Sequence, residues 1–337
     1  MLSRTANDLF WMSRYVERAE NIARLLEVAD RMSLMPQQAG GTDEWSAVLI
    51  AGGIAPIYRE HHDRVDAAHT IEFMALSADN PSSIRNCFGT ARENARAQRH
   101  TLTREMWEAI NDSWLEIRDM TPAQLNAMGH SAFFDMVKRR SHLVRGAMAG
   151  TLIRDDGFRF IRLGTFVERA DSTARILDVK YHLILPAGET IGGSTDYYQW
   201  AALLQSVSAH GSYNRLTGDT IRPWKVAEML ILRPEMPRSI RSAYDELMDN
   251  LRVLTVPNGS ALECMRMAGK LHSQLLYARI EEIFQGHDGL HGFLTHVVDT
   301  NMAVAHQITR DFLMITDTEE TAGTGGTESP RQHQSNG

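Results

Sequence analysis

YVERAENIARLLEV, residues Tyr15–Val28, returns without a gap 151 residues later as FVERADSTARILDV, residues Phe166–Val179. Eight of the fourteen positions are identical, and Tyr/Phe, Leu/Ile and two Glu/Asp exchanges account for four more. Apolar residues recur at three- and four-residue spacing in both copies, with neither Gly nor Pro to interrupt them, which is the pattern of a long helix. Chance resemblance between amphipathic helices seldom reproduces charged residues in order. The repeat therefore reads as duplication, or as convergence on one shared site. The expected fold follows from it: all-α, a single large helical domain with an internal pseudo-repeat of long Glu/Arg-motif helices.

Two stripes run along each copy. Met12, Val16, Ala19, Ala23 and Leu26 share one face, matched by Leu163, Val167, Ala170, Ala174 and Leu177. The small alanines would let helices approach closely. A second stripe holds Glu17, Glu20, Arg24 and Glu27, matched by Glu168, Asp171, Arg175 and Asp178. Residues three and four apart stand on one face, so this stripe would be an exposed ion-pair ladder worth a few tenths of a kcal/mol per pair. Against that, Tyr15, Ile22, Leu25 and Val28 lie on other sides of the first helix. A helix apolar around most of its circumference is buried. Buried charge must be paired or must line a polar cavity, so the stripe is either a structural ion-pair network or a pocket.

Helical signals extend outward from the two copies. The first helix starts near Thr5 and stops before Pro36; Gln37–Asp43 reads as a loop. Shorter helical patterns lie at Glu44–Leu49 and Val65–Leu76, and Asn80-Pro81-Ser82 opens a helix running to about His100. Further patterns cover Arg104–Asp119, a start at Thr121-Pro122, and Ser131–Arg154, with Asp155-Asp156-Gly157 breaking the last. The second long helix spans about Phe158–Leu185. Tyr197–His210, Pro223–Leu230, Arg238–Leu254, Ser260–Gln285 and Leu290–Ile315 complete about ten helices in a domain of residues 1–315. Residues 316–337 hold almost no apolar side chain and are expected to be a disordered tail. Strands and helices alternate nowhere, which argues against a nucleotide-binding α/β fold.

Composition excludes several classes. The 337 residues can bury a substantial core. A net charge of −7 disfavours nucleic acid as a partner, and the basic run Lys138, Arg139, Arg140 and Arg145 reads as a solvated helix face. Nothing approaches the roughly 18 apolar residues of a membrane span, and the N-terminus mixes charge too early for a secretory signal. Cys87 and Cys264 are too few and too far apart for a disulfide framework or a thiolate metal site. A cytoplasmic location is the resulting expectation.

VERAENIARLLEV and VERADSTARILDV resemble the signature helices of the bacterial alpha-E family. Ala91–Asp112 (ARENARAQRHTLTREMWEAIND), Gly150–Ala170, Pro234–Leu247 and Gly289–Leu294 resemble it too, so the likeness covers about residues 1–315. The resemblance implies an all-helical protein working beside a circularly permuted ATP-grasp protein, often with a transglutaminase-like partner. It points to an accessory or substrate-binding component of a peptide amidoligase or peptide-modification system. A peptide or amino-acid-like ligand is expected, and no cofactor or metal. On this reading Glu17, Glu20, Glu168 and Asp171 recognise cationic or amide groups or position a proton acceptor, and Arg18, Arg24, Arg169 and Arg175 hold carboxylates. The alternatives are a stand-alone enzyme using paired carboxylates as acid and base, and a helical scaffold without a catalytic site.

Arg85, Arg92, Arg96 and Arg99 fall on one helical face, able to grip a carboxylate or phosphate or to pair with the acidic stripes. His62, Asp66, His69 and Glu72 also share a face, with a solvated helix the preferred reading over a metal site. A di-metal carboxylate bundle wants Glu-x-x-His pairs, whereas Arg24 and Arg175 would repel a metal. The late histidines His287, His291, His296 and His306 lack matching acidic spacing. No phosphate loop or nucleophile elbow occurs.

Overall fold

The computed structural model describes residues 3–34, 43–183, 193–255 and 262–313. Sixteen α-helices and no strand occur among these residues. They are α1 (Ser3–Ser33), α2 (Glu44–Ala51), α3 (Ala55–His61), α4 (Ala67–Ala75), α5 (Ile84–Ala97), α6 (Arg104–Ile117), α7 (Pro122–Met128) and α8 (His130–Thr151). The second half supplies α9 (Asp156–His182), α10 (Ser194–Ser206), α11 (His210–Thr217), α12 (Pro223–Leu232), α13 (Ile240–Thr255), α14 (Glu263–Tyr277), α15 (Ile280–Gln285) and α16 (Gly289–Ile308). A π-turn at Thr309–Leu313 closes it.

The count exceeds the ten expected because short helices such as α3 and α11 offer too few residues for a period to show. The pattern expected at Ser260–Gln285 is two helices, parted at Ala278 and Arg279. Asp155, read as a break, is the N-cap of α9: its carboxylate accepts the Phe158 amide at 3.1 Å. The helix expected from Asn80 begins only at Ile84, because the Ser83 hydroxyl caps it through the Asn86 amide. The loop, tail and domain-end expectations at 37–42 and beyond 313 lie outside the described residues.

The helices form two bundles of one design. In the first, α1 packs on α5, α5 on α6, α6 on α8, and α8 back on α1. In the second, α9, α13, α14 and α16 close the same cycle in the same order. Leu9, Met12 and Val16 of α1 meet Ala91, Ala95, Met106, Ile110, Val144 and Met148 in the core of the first bundle. Each such large side chain contributes roughly 1.5–3 kcal/mol when fully buried. The bundles join where α1 crosses α9. A Cβ on Gly164 would overlap the Phe10 carbonyl oxygen and Ser13 Oγ, so the backbones nearly touch there. The short helices are exchanged: α2 follows α1 but packs mainly on α9, and α10 follows α9 but packs mainly on α1.

Candidate functional site

One turn beyond the Gly164 contact, the two Glu-Arg pairs meet across the crossing. Neighbours in sequence point to different sides of a helix, and Glu17 does not pair with Arg18, nor Glu168 with Arg169. Each pairs with the other helix instead. Arg169 donates from Nε and Nη2 to Glu17 at 2.9 and 3.0 Å. Arg18 donates from Nε and Nη2 to Glu168 at 2.5 and 2.9 Å. These are two forked, bidentate bonds related by the pseudo-symmetry of the repeat. The first aromatic of each motif supports them, with the Arg18 guanidinium over Tyr15 at 5.5 Å and that of Arg169 over Phe166 at 5.1 Å.

Burial alone would raise the carboxyl pKa of Glu168, but the Arg18 and Arg14 guanidiniums outweigh it and hold it at about 2. Glu17 is likewise lowered, burial being overcome by Arg169 and Arg145. Both are carboxylates at any physiological pH.

The second arginine of each motif does a matched job one turn on. Arg24 bonds Glu20 through Nε (3.0 Å) and Nη2 (2.8 Å), and donates from Nη1 to the Ser206 carbonyl. Arg175 bonds Asp171 through Nε (2.6 Å) and donates from Nη1 to the Ala51 carbonyl at 3.0 Å. Ser206 and Ala51 end α10 and α2, so each arginine satisfies an orphan carbonyl at the C-terminus of an exchanged helix. The chain turns alike after both: Gly53 and Ser208 have φ of 71° and 58°. Ser208 is the one non-glycine at positive φ among the described residues, and its Oγ accepts from Arg24 at 3.1 Å. Gly53 offers Arg175 no such group.

From this shared frame the two sites diverge. Beside Glu17 and Glu20 the space is full. Arg145 of α8 lies 2.7 Å from Glu17 and 2.5 Å from Glu20. Arg238, two residues ahead of α13, donates to Asn21 Oδ1 at 3.1 Å and to Glu20 Oε1. A void of about 10 Å³ beside Glu17 and Arg145 has room for about one water. Beside Glu168 and Asp171 lies a cavity of about 350 Å³ instead, within the range of small-molecule sites. Arg14, Arg18, Glu168, Asp171 and Arg175 give it charge, and Ser82 and Ser172 give it hydroxyls. Ile22, Leu25, Ile54, Ile57 and Ile176 form apolar wall. Arg14 also reaches Glu168, at 3.1 Å.

The charged stripe is thus buried along α1, where Glu17, Glu20, Arg24 and Glu27 are all under a tenth exposed, and lines an open site along the middle of α9. Arg14, Arg238 and Ser82 were not singled out from the sequence as site residues, and Arg145, read there as part of a solvated face, instead turns inward onto Glu17 and Glu20. A signal for Arg238 and Ser82 exists: PSSIRNCF (Pro81–Phe88) and PRSIRSAY (Pro237–Tyr244) share Pro-x-Ser-Ile-Arg. This second repeat enters α5 and α13, the matching helices of the two bundles. Ser239 caps its helix through the Ser242 amide as Ser83 caps α5.

Other expected groups lie away from the crossing. Arg92 bonds Asn111 at 3.0 Å and Glu93 at 2.5 Å, Arg96 approaches Glu93 at 3.6 Å, and Arg99 lies over Trp107 at 5.5 Å. Arg85 donates to the Met120 carbonyl. The contacts of these four arginines lie on α5, α6 and the turn after α6, and none reaches the acidic stripes. Asp66 caps α4 through the His69 amide at 2.9 Å and holds His69 Nδ1 at 2.7 Å. His291 was read as lacking an acidic partner, yet α16 brings its Nδ1 to 2.6 Å from Asp178, which His182 also meets at 3.2 Å. Asp178, His182 and His291 place ligand atoms within 4.8 Å of one another, a donor set a transition metal accepts, although their mutual hydrogen bonds satisfy them without one. The matching carboxylate, Glu27, is held by Arg31 and Lys138.

A family model described as a predicted alpha-helical domain with a conserved ER motif, Alpha-E, matches residues 1–313. The chain is 25% identical, over 96% of its length, to an uncharacterized protein of Mycobacterium bovis and to one of Mycobacterium tuberculosis. It spans 37% of the length of each. No solved structure matches. No described helix is long and apolar enough to cross a membrane.

Proposed function

Since the chain belongs to the Alpha-E family, we propose that it is the accessory or substrate-binding component of a peptide-modifying system, holding a peptide or amino-acid-like ligand where α1 crosses α9. The cavity beside Glu168 and Asp171 is the observation that carries this reading. It offers three guanidiniums, two carboxylates and apolar wall, the mixed chemistry that suits a zwitterionic or peptide-like molecule. Ligation chemistry would come from a partner of the ATP-grasp type, with a transglutaminase-like protein as a second. The family resemblance supports that assignment.

The stand-alone enzyme draws less support from these residues. A general base works best with a pKa near the operating pH, whereas Glu168 sits at about 2 and Glu17 and Glu20 are lowered by surrounding arginines. Such carboxylates bind and orient; they are weak proton acceptors.

Titration calorimetry with amino acids and short peptides tests the proposal. Saturable one-to-one binding is expected. Arg175→Lys keeps the charge but loses the forked donor pattern, so it should weaken binding about tenfold or more while leaving the helical circular dichroism intact. A folded protein that binds no member of such a panel overturns the assignment.

A further inference from the structure

The filled half of the crossing shows what the open half is shaped to receive. Arg238 and Ser82 are equivalent: each follows the proline of Pro-x-Ser-Ile-Arg and precedes a capping serine and a matching helix. Arg238 reaches across to Glu20 and Asn21 of α1. The counterparts of Glu20 and Asn21 are Asp171 and Ser172 of α9, and both line the cavity together with Ser82. The cavity therefore lies where an arginine side chain would lie if residue 82 were like residue 238. Glycine at 53, where the other half has Ser208, clears the same region further.

We infer that the cavity binds a guanidinium-bearing group of its ligand, an arginine-like side chain, against Asp171 and Ser172 in the place that Arg238 takes on the other side. This deepens the proposed function and rests on it. The arginines already lining the cavity do not oppose it. Glu17 and Glu20 share Arg24, Arg145 and Arg169 and hold Arg238 as well. Glu168 and Asp171 share Arg14, Arg18 and Arg175, the same balance of two carboxylates to three guanidiniums before the fourth is added. Burial and the neighbouring Arg24 bring the Arg238 pKa down to about 10 against the pull of Glu20, so even this buried guanidinium stays protonated at neutral pH. The apolar wall of Ile22 and Ile57 suits the methylene stem behind such a head.

The test compares L-arginine, and glycine tripeptides carrying arginine at each position, with their citrulline counterparts, which are neutral and nearly isosteric. Arginine compounds should bind about tenfold or more tighter than citrulline compounds. Asp171→Asn should remove that preference. Ser82→Arg should abolish binding and raise the thermal midpoint of the ligand-free protein, because the new side chain occupies the cavity. Equal affinity for the arginine and citrulline compounds, or a preference that survives Asp171→Asn, overturns the inference while leaving the ligand site itself in place. Ser82→Arg that folds and binds as before overturns it too. Failure of every amino acid and peptide to bind the native chain overturns the site as well.

Discussion

At the scale of single residues, the chain places Glu17 and Glu168 in matched positions with unequal surroundings. Glu17 is 1% exposed and faces Arg169, Arg145 and Arg238. Removing its charge strands guanidiniums that have little access to water, and breaking a buried ion pair from one side costs about 3–5 kcal/mol. Glu17→Gln should therefore lower the urea midpoint by a corresponding amount. A change within about 0.5 kcal/mol would mean that this network behaves like a surface ladder. The unequal surroundings follow from a few substitutions between the repeats. Where α1 has Arg14, α9 has Thr165, whose hydroxyl only returns to its own helix at the Ile161 carbonyl. The second cation at Glu17 is supplied by α8 instead, as Arg145.

At the scale of elements, the crossing of α1 and α9 sets the geometry of both sites. Bidentate pairs tolerate little displacement, so the distance between the helix axes is fixed at Gly164. Gly164→Ala would press a methyl group into the Phe10 carbonyl and Ser13 Oγ. Backbone atoms cannot swing aside as side chains do, so the helices must separate. A loss of about 1–3 kcal/mol or more is expected, as for other overpacked sites, measured by chemical denaturation. An unchanged midpoint would show that the crossing is looser than the ion pairs imply. The exchanged helices α2 and α10 add a further tie, since Arg24 and Arg175 of one pair of helices hold the C-termini of the other.

At the scale of the whole molecule, two bundles of like design share one buried set of charges, which couples their stabilities. If one bundle unfolded alone, the ion pairs that bridge the crossing would be lost with it: Arg14 and Arg18 on Glu168, and Arg169 and Arg238 on Glu17. The carboxyl of Glu168 is lowered in the folded state, from an ordinary 4.5 to about 2. The sign is that of a depressed carboxylate: its contribution is complete above pH 4.5 and is lost as the pH falls toward 2. Acid titration should accordingly unfold both bundles together within that window. Near-ultraviolet signals and helical circular dichroism should share one midpoint there. Two separated acid transitions would mean that the bundles stand independently.

The sequence alone determined that the chain is helical, that two related helices dominate it, and that the first carries its charged stripe on a helix apolar around most of its circumference, with an ion-pair network and a pocket both left open. Those features are local: periodicity sets the helix, and the apolar residues flanking Glu17 and Glu20 set their burial. Only the tertiary structure decided that Glu17 takes Arg169 and that Arg18 takes Glu168, because that pairing depends on the angle and offset at which two helices 151 residues apart meet. It alone decided, too, that one of two near-identical motifs is filled and the other open. That difference is written at Ser82 and Arg238, outside both motifs, and becomes a cavity only when α5 and α13 carry those residues to opposite sides of the crossing.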